Sequence, residues 1–446
     1  MTIQTKIQYE ALAAYKNVGC QASVCLATGF GKTRVGVLAI QDVLKEKPEA
    51  NILIVVPTTH LRDNQWIPEI RKWASEISEE TLEAQVRVEC IQTAYKWNSL
   101  WFNNYDLIIF DELHRMLSPE YGMIHDKLDS SIKKLGLTAT PPKHDNEKMQ
   151  KLVDKLPIVY QKTLDEGVEL GILAPFKVFN IGVKLPHKEL WKYNLFNGKF
   201  NKARYEIYKY VQLLKSLRTP LESDNVFKVA EKFRQSKYGK HYPELMQHSK
   251  DFWNYMSMRK WVCYNNPSKI NTAKELIKMF PNRTWILFTK SVKFCEKTTA
   301  EINKDKDLSA LGYKAISYHS KYDKEKRAAI LDSFKREKYN IIVSIEALSE
   351  GYNVPRLDAA ISLASVSTEI NNTQQMGRIL RLQEDKEAMF FNLYSIDTKE
   401  EDWVKTKTWS IPDVKWIKST DNLNTKINVS YENSITTSPS SKIHSE

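Results

Sequence analysis

The chain has 446 residues, of which 42% are hydrophobic and 27% charged, so it exceeds one ordinary core and has the composition of a soluble two-domain protein. Its longest apolar strings, such as ILIVV from Ile52, are too short to cross a bilayer, and no secretion leader opens the chain, which predicts a cytoplasmic protein. Five scattered cysteines without a C-x-x-C pair argue against disulfides and a zinc site, and a net charge of +12 modestly favours a polyanionic partner.

The first predicted strand, ASVCLA from Ala22, is followed by helical spacing of apolar residues through TRVGVLAIQDVLKEK from Thr33. Between them lies LATGFGKT, residues 26–33, which departs from the P-loop pattern because Leu26 stands where that pattern has glycine. Strand, glycine turn and helix is nevertheless the context of a phosphate cradle, because backbone N–H groups and the helix N-terminus both attract an anion. The context therefore predicts a phosphate-binding turn.

Two groups of short, continuously apolar runs follow along the chain. The first comprises ILIVVP, LIIFDE and LGLTAT, which start at residues 52, 107 and 135, and the second comprises WILFT, NIIVSI, AAISLA and MFFNLY, which start at residues 285, 340, 359 and 389. Runs that are apolar throughout suit parallel sheets covered on both faces. The predicted fold class is therefore α/β, with two parallel-sheet lobes.

The segment between the two groups is predicted to be helical, basic and aromatic. Residues 184–260 hold 17 Lys and Arg against 7 Asp and Glu, together with 14 aromatic residues. Basic charge binds phosphates and aromatic rings stack on bases, although such rings can equally form a small core under a solvated face. We expect a first lobe at 1–183, a helical accessory segment and candidate DNA-junction surface at 184–264, a second lobe at 265–418 and a flexible tail at 419–446.

The stretch DELH, residues 111–114, directly follows the strand LIIF. An acidic pair at the carboxyl end of a strand, in a sheet that also carries a phosphate turn, is where metal-bound nucleotide chemistry is expected. GKT at 31–33 and TAT at 138–140 follow other strands of the same predicted sheet. Together these three stretches predict a nucleotide site at one sheet edge.

These stretches and others resemble, in order, the seven motifs of the superfamily 2 helicases of DExH type. Motifs I to IV are similar to LATGFGKT, VVPTTHLRDNQW, DELH, GLTATPP and ILFTK, and motifs V and VI are similar to SIEALSEGYNVP from Ser344 and QQMGRILR from Gln374. The resemblance covers most of the chain. It implies two RecA-like lobes, with ATP and Mg²⁺ as cofactors.

The resemblance also implies residue roles for ATP hydrolysis. Lys32 would contact the β- and γ-phosphates, Thr33 and Asp111 would hold Mg²⁺, and Glu112 would activate the attacking water. The remaining implied residues of the nucleotide site are the turn residues Thr28, Gly29 and Gly31, the cleft residues Gly351 and Gln374, the coupling residues His114, Thr138 and Thr140, and the arginine fingers Arg378 and Arg381 from the second lobe, of which Arg381 is favoured.

Gln8 resembles the upstream glutamine with which such enzymes read adenine, because an amide both donates to and accepts from a base edge. An ordinary exposed glutamine on a helix is the alternative interpretation. Two positions depart from the family pattern in motif V, where Ile345 and Asn353 replace threonine and aspartate. These departures remove one hydroxyl contact to the nucleic-acid backbone and one carboxylate from the cleft.

The resemblance nominates six residues for strand binding: Pro57, Thr58, Gln92, Thr93, Thr289 and Lys290. The form of motif VI and the stretch YQKTLDEGVELGILAPF from Tyr160 resemble the branch of phage (T5-like) branch-migration helicases, XPB-like proteins and restriction translocases. This implies forked or four-way DNA as partner, with replication or recombination proteins as further candidates. A DExH RNA helicase, a restriction-type translocase subunit and an ATP-dead clamp are the alternatives, although Glu112 and Arg381 argue against the clamp.

Overall fold

The computed structural model describes residues 1–117, 119–139, 154–216, 225–235, 241–345, 357–364, 387–408, 411 and 413–428. Residues 1–177 form the main part of one compact unit, and residues 178–345 form the main part of a second. Each unit contains a sheet whose strands are covered by helices, as the apolar runs predict. The predicted fold class, two parallel-sheet lobes of RecA-like type, is confirmed.

The first lobe is built on a six-stranded sheet with the order β3-β2-β4-β5-β1-β6. All of its strand pairs are parallel, with Val24 opposite Leu137 and Ile54 opposite Ile109. The central strands are buried along most of their length, which explains why their sequences are continuously apolar. The strands are β1 (Gln21–Leu26), β2 (Ile52–Val56), β3 (Val86–Cys90), β4 (Leu107–Asp111), β5 (Lys133–Thr138) and β6 (Ile158–Lys162).

Helices pack on this sheet and begin at side chains that satisfy their first N–H groups. Thr2 accepts from the N–H of Thr5 at the first helix, and Thr163 and Glu166 form a capping box at the last. The α-helices are Ile3–Asn17, Lys32–Glu46, Thr59–Asn64, Trp66–Trp73, Glu79–Gln85, Ile91–Ala94, Ser99–Phe102, Pro119–Gly122 and Leu164–Glu169, and the 3₁₀ turns are Leu113–Leu117 and His125–Lys127.

The second lobe is built on a seven-stranded sheet with the order β13-β7-β12-β11-β8-β10-β9. The pairs β8–β10, β9–β10 and β7–β13 are parallel. The ring of Phe179 on β7 stacks on Phe391 of β12 with 5.1 Å between ring centroids. The strands are β7 (Phe176–Val183), β8 (Trp285–Thr289), β9 (Ala315–Tyr318), β10 (Ile341–Ile345), β11 (Ala359–Ser362), β12 (Ala388–Ser395) and β13 (Lys415–Ile417).

The described part of the accessory segment is helical, as predicted, and contains three helices of the second lobe. These three share a core of their own that includes Phe200, Ile207, Phe233 and Phe252. The α-helices are His187–Ser216, Val226–Phe233, Pro243–Tyr264, Ser268–Met279, Val292–Asn303, Lys306–Ala310, Lys324–Lys335 and Lys399–Thr408, followed by a short helix at 423–428.

Two predicted boundaries differ from the structure. Strand β7, which the sequence places at the end of the first lobe, belongs to the second sheet, because its buried residues need β12 and β13 as neighbours. The predicted tail starts at residue 419, whereas residues 423–428 form a helix in which Leu423 and Ile427 are buried. These two apolar side chains lie one helical turn apart, so that one face of the short helix is buried.

The five cysteines are free thiols, of which Cys20 is partly exposed and the other four are buried. Among the described residues no group of three or more His, Cys, Asp and Glu could hold a metal ion. None of the helices described here is long and apolar enough to span a membrane.

Candidate nucleotide and nucleic-acid site

The predicted phosphate turn connects β1 to the helix Lys32–Glu46. Gly29 and Gly31 have φ angles of 104° and 83°, in the left-handed region that favours glycine. A Cβ atom on Gly29 would lie 2.3 Å from Leu173 Cδ2, and one on Gly31 would lie 2.4 Å from Gln8 Nε2. The positive φ angles favour glycine at these two positions, and a side chain there would also displace the end of Leu173 or of Gln8. The turn places Lys32 and Thr33 in the first turn of the helix.

The first helix holds this turn through two glutamines. Gln8 Nε2 donates to the carbonyl of Phe30 at 2.8 Å, and Gln4 Nε2 donates to the carbonyl of Gly29 at 2.7 Å. Gln8 is only 2% exposed, and its Oε1 atom is buried without a hydrogen-bond partner. The alternative of an ordinary exposed glutamine is therefore wrong, and a buried acceptor lies beside the turn.

Asp111 and Glu112 stand at the carboxyl end of β4, one strand away from β1. Glu112 has a φ of 51°, a left-handed conformation that is costly for a residue with a side chain. Its N–H donates to Asp111 Oδ1 at 2.9 Å, while Asp111 Oδ2 accepts from the indole N–H of Trp66 at 3.0 Å. Burial, and then repulsion by Glu112, raises the pKa of Asp111 to about 6.

Two of the predicted coupling residues, His114 and Thr138, lie close to this pair. His114 is buried, and its Nδ1 lies 3.4 Å from Glu112 Oε2. Thr138 is the buried last residue of β5, the strand between β1 and β4. The hydroxyl of Thr33 lies 3.5 Å from Gln65 Nε2. A contact to the phosphate turn and a contact to the acidic pair thus come from two adjacent positions of the motif Ia region, residues 65 and 66.

The site contains hydrogen-bonding and charged groups that fit a magnesium-bound adenine nucleotide. The turn converges N–H groups at a helix N-terminus, which suits phosphates. Two neighbouring carboxylates, one with a raised pKa, suit a divalent cation that would relieve their repulsion. The buried Gln8 Oε1 lacks a donor, and the adenine amino group is one.

Four predicted strand-binding residues are brought together at the same sheet edge. β2 and β3 are adjacent and parallel, so the residues after their carboxyl ends are neighbours. Gln92 Nε2 donates to the carbonyl of Pro57 at 3.0 Å, and Thr58 caps the next helix. Gln92 and Thr93 are exposed. These residues form a polar edge at the carboxyl ends of β2 and β3, in the sheet that also carries the nucleotide turn.

Of the two predicted strand-binding residues in the second lobe, Thr289 is buried and Lys290 is partly exposed. Thr289 is 1% exposed, and its hydroxyl donates to the carbonyl of Ser344 at 3.2 Å, so this hydroxyl is not offered to a strand as the sequence predicts. The cause is strand pairing, because Thr289 still lies opposite Ile345 within the sheet. Lys290 follows immediately, and burial lowers the pKa of its ammonium group to about 8.

Several predicted residues lie outside the described part of the chain: Thr140, Gly351, Asn353, Gln374, Arg378 and Arg381. Their roles stay predictions. Ile345, the other departure in motif V, is the last residue of β10.

The aromatic residues of the accessory segment divide into two groups. Phe233 is buried and the partly buried Trp253 packs against the same small core. Trp191, Tyr205 and Tyr208, on the helix His187–Ser216, are 62%, 59% and 48% exposed. The small-core interpretation is therefore confirmed for Phe233 and Trp253, whereas nucleic-acid binding by the exposed rings stays a prediction.

Sequence reasoning missed two side chains of the site. Trp66 is fully buried, bonds Asp111 and lies so close to Gly36 that a Cβ there would be 2.6 Å from its ring. Gln4 holds the turn together with Gln8. The available signals were the tryptophan that ends the motif Ia text and the spacing of four residues that places Gln4 and Gln8 on one helix face.

Two protein-family models match parts of the chain. Residues 2–143 match the type III restriction enzyme, res subunit, and residues 268–383 match the helicase conserved C-terminal domain. Together these matches span more than half of the chain.

The chain is also similar to individual proteins. The DNA 3'-5' translocase XPB2 of Sulfurisphaera tokodaii is 28% identical over 387 residues, which cover 84% of this chain and 78% of that protein. A putative ATP-dependent RNA helicase of Methanocaldococcus jannaschii is 23% identical over 449 residues, covering 85% and 57%. The DNA-bound type ISP restriction-modification enzyme LlaBIII has a TM-score of 0.57 at 15% identity, covering 98% of this chain and 32% of that one, a likeness of fold alone.

Proposed function

The chain belongs to the superfamily 2 helicases, related to XPB-like and restriction translocases, and we propose that this ATP-hydrolysing enzyme acts on forked or four-way DNA. The observation that carries the proposal is the convergence of the glycine turn, the Asp111–Glu112 pair and the polar strand edge on the carboxyl ends of one sheet. A motor needs a nucleotide site and a strand-binding surface at the same edge of a sheet.

The proposed hydrolysis assigns a task to each side chain of the turn and the acidic pair. Lys32 places its charge on the β- and γ-phosphates, and Thr33 and Asp111 would hold Mg²⁺, which neutralises charge that develops on the phosphates. The indole N–H of Trp66 fixes one carboxylate oxygen of Asp111. Orientation of that carboxylate is then independent of solvent.

Glu112 is proposed as the base that takes the proton from the attacking water. Its left-handed backbone and the bond from its N–H to Asp111 aim the two neighbouring carboxylates differently, so that they can serve different roles. His114 Nδ1 lies 3.4 Å from Glu112 Oε2. We propose that His114 couples the state of this base to the polar edge formed by Pro57, Thr58, Gln92 and Thr93. Without a positioned base the water attacks slowly.

Gln8 is proposed to select adenine. Its Nε2 is committed to the carbonyl of Phe30, which leaves Oε1 as an acceptor. An acceptor in this place favours the amino group of adenine and disfavours the carbonyl oxygen that guanine carries at the same position.

The proposal for branched DNA draws on the accessory segment and on the resemblance of motif VI. The surplus of basic residues at 184–260 supplies phosphate affinity, and the exposed Trp191, Tyr205 and Tyr208 supply rings at its surface. Arg378 and Arg381 are proposed to stabilise charge on the γ-phosphate, as the sequence pattern implies. Junction structure, rather than base sequence, would then determine the substrate.

The test is ATP hydrolysis measured with single-stranded, duplex, forked and four-way DNA and with matched RNA forks, for wild type and for Glu112→Gln. We expect the forked and four-way DNA to stimulate wild type most. The variant should lose hydrolysis by about 100-fold or more while it still binds a fluorescent ATP analogue, because the carboxamide keeps the shape but not the base.

Three outcomes would contradict parts of the proposal. Stimulation by RNA forks alone would favour an RNA helicase, a reading that the RNA-helicase relative keeps open. Equal stimulation by linear duplex and junctions would favour a restriction-type translocase. Unchanged hydrolysis in Glu112→Gln would remove Glu112 from the mechanism.

A further inference from the structure

A row of three aromatic rings lies where the accessory helices join the second sheet. The ring centroids of Trp261 and Tyr264 are 6.1 Å apart, and those of Tyr264 and Trp403 are 6.2 Å apart. Trp261 is 46% exposed, and Met258, one turn earlier on the same helix, is 45% exposed. We call Trp261, Tyr264 and Trp403 the aromatic row.

The face of this helix that carries Trp261 and Met258 is partly exposed. Its opposite face buries Val262 and Cys263 in a cluster with Leu185 and Tyr193. A tryptophan left almost half in water gives up part of the free energy that its burial would provide. Trp261 and Met258 together form an exposed apolar patch on this helix, which is the kind of surface that a ligand can cover.

The charges around the row suit a polyanion. Lys260 lies 5.5 Å from the ring centroid of Trp403, and within the described residues it forms no ion pair. The acidic residues of the helix Lys399–Thr408 are neutralised: Glu400 by the buried Lys269, Glu401 by Lys405 and Asp402 by Lys399. A phosphate backbone beside the row would therefore meet the ammonium group of Lys260, and each acidic side chain of this helix has a cationic partner.

The row is joined to the motif IV loop by one side chain. Asn265 donates from Nδ2 to the carbonyl of Trp261 at 2.7 Å, and its Oδ1 accepts from the hydroxyl of Ser291 at 2.7 Å. Ser291 follows Lys290 directly and caps the next helix. A strand held at Lys290 would thus leave the motif IV loop beside the aromatic row.

We propose that the aromatic row is a stacking platform for the bases of single-stranded DNA, next to the motif IV loop. The inference rests on the proposed function, since it supplies a place for a strand that the motor holds. Stacking on aromatic rings tolerates any base sequence, which agrees with recognition of DNA structure. A row of rings at the root of the basic segment would bind the unpaired strand of a fork.

The test separates bases from phosphates. Binding of a fluorescent oligo-dT and of an abasic oligonucleotide of equal length is measured for wild type, Trp261→Ala and Trp403→Ala. Wild type should bind oligo-dT more tightly than the abasic strand. Each alanine variant should weaken oligo-dT binding by about 5- to 100-fold with little effect on the abasic strand, and Trp261→Phe should retain most of the affinity.

Trp101→Ala is the matched control, because Trp101 is 51% exposed on the first lobe and should leave both affinities unchanged. Thermal unfolding verifies that each variant is folded. Equal loss on both oligonucleotides, or no loss on either, would overturn the stacking platform and leave the motor intact. If wild type bound neither oligonucleotide and no DNA stimulated its hydrolysis, the proposed function itself would fail.

Discussion

At the scale of single residues, Lys290 gives a pH dependence with a definite sign. Burial lowers the pKa of its ammonium group to about 8, whereas an ordinary lysine titrates near 10.4. As the pH rises through about 8, Lys290 therefore loses its proton before other lysines do. We expect oligonucleotide affinity to decrease between about pH 7 and about pH 9, and Lys290→Arg to remove most of that decrease, because the guanidinium stays charged. Identical pH profiles for both proteins would exclude Lys290 from phosphate binding.

Gln8 gives a prediction about base selectivity. Gln8→Ala removes the buried acceptor beside the turn and the bond to the carbonyl of Phe30. The KM for ATP should rise by roughly 10-fold, and the preference for ATP over GTP should shrink, as steady-state hydrolysis would measure. Tyr9→Ala, at an exposed neighbouring position, is the control. An unchanged ratio of kcat/KM for the two nucleotides would remove Gln8 from base reading.

The residues that the sequence could and could not predict differ in their physics. The placement of Lys32, Asp111 and Glu112 at or after the carboxyl ends of buried parallel strands was predictable from the apolar runs that precede them, while their roles in hydrolysis stay predictions. The role of Trp66 was not predictable, because a tryptophan in a helix is equally at home in any core. The burial of Thr289 could not be predicted either, since it depends on how far the pairing of β8 with β10 extends.

At the scale of elements, a buried ion pair ties the helix Lys399–Thr408 to the helix Ser268–Met279. Lys269 Nζ donates to both carboxylate oxygens of Glu400 at 2.8 Å and to the carbonyl of Leu363 at 2.9 Å, with both side chains 0% exposed. Lys269→Met would leave the buried Glu400 carboxylate without this counter-charge and should lower the free energy of unfolding by about 3–5 kcal/mol. Chemical denaturation of the full chain would measure this loss.

The control for that prediction is a pair of similar geometry at the surface. Arg71 and Glu79 are 51% and 60% exposed, so Arg71→Met should cost less than about 1 kcal/mol. The double variant Lys269→Met with Glu400→Met should recover much of the stability, because no buried charge remains. A cost for Lys269→Met as small as that for Arg71→Met would contradict the importance of the buried pair.

The strands that sequence reading missed are mostly those at or near sheet edges. These strands are short and only partly buried, so polar residues interrupt their apolar sequences; they are β3, β6, β9 and β13. β7 is well buried, but its apolar sequence does not show which of the two sheets it joins. Central parallel strands are therefore predictable from composition alone, whereas edge strands depend on partners distant in sequence.

At the scale of the whole molecule, positive charge is concentrated in the accessory segment, and this predicts where salt sensitivity originates. Lys188, Lys202 and Lys250 are exposed there. Replacing all three with glutamine should weaken single-strand binding and reduce the slope of log affinity against log salt by up to about 2. Titrations of a fluorescent oligonucleotide at several salt concentrations would measure both quantities.

A triple variant that removes equal charge elsewhere is the control. Lys306, Lys335 and Lys338 are exposed and precede β9 or β10, at the amino edge of the second sheet. Their replacement by glutamine should leave the salt slope nearly unchanged. If both triple variants reduced the slope equally, affinity would follow net charge alone and the accessory segment would have no special part in strand binding.

The unequal exposure of the five cysteines offers a practical route to watching the enzyme at work. Cys20 is the partly exposed one, so a maleimide dye should attach there selectively. Burial raises the pKa of its thiol, so attachment should be faster in mildly alkaline buffer, where more of the thiol is ionised. A second dye on an engineered cysteine in the other lobe would turn the native chain into a fluorescence ruler for nucleotide-driven motion. No native cysteine would have to be removed first.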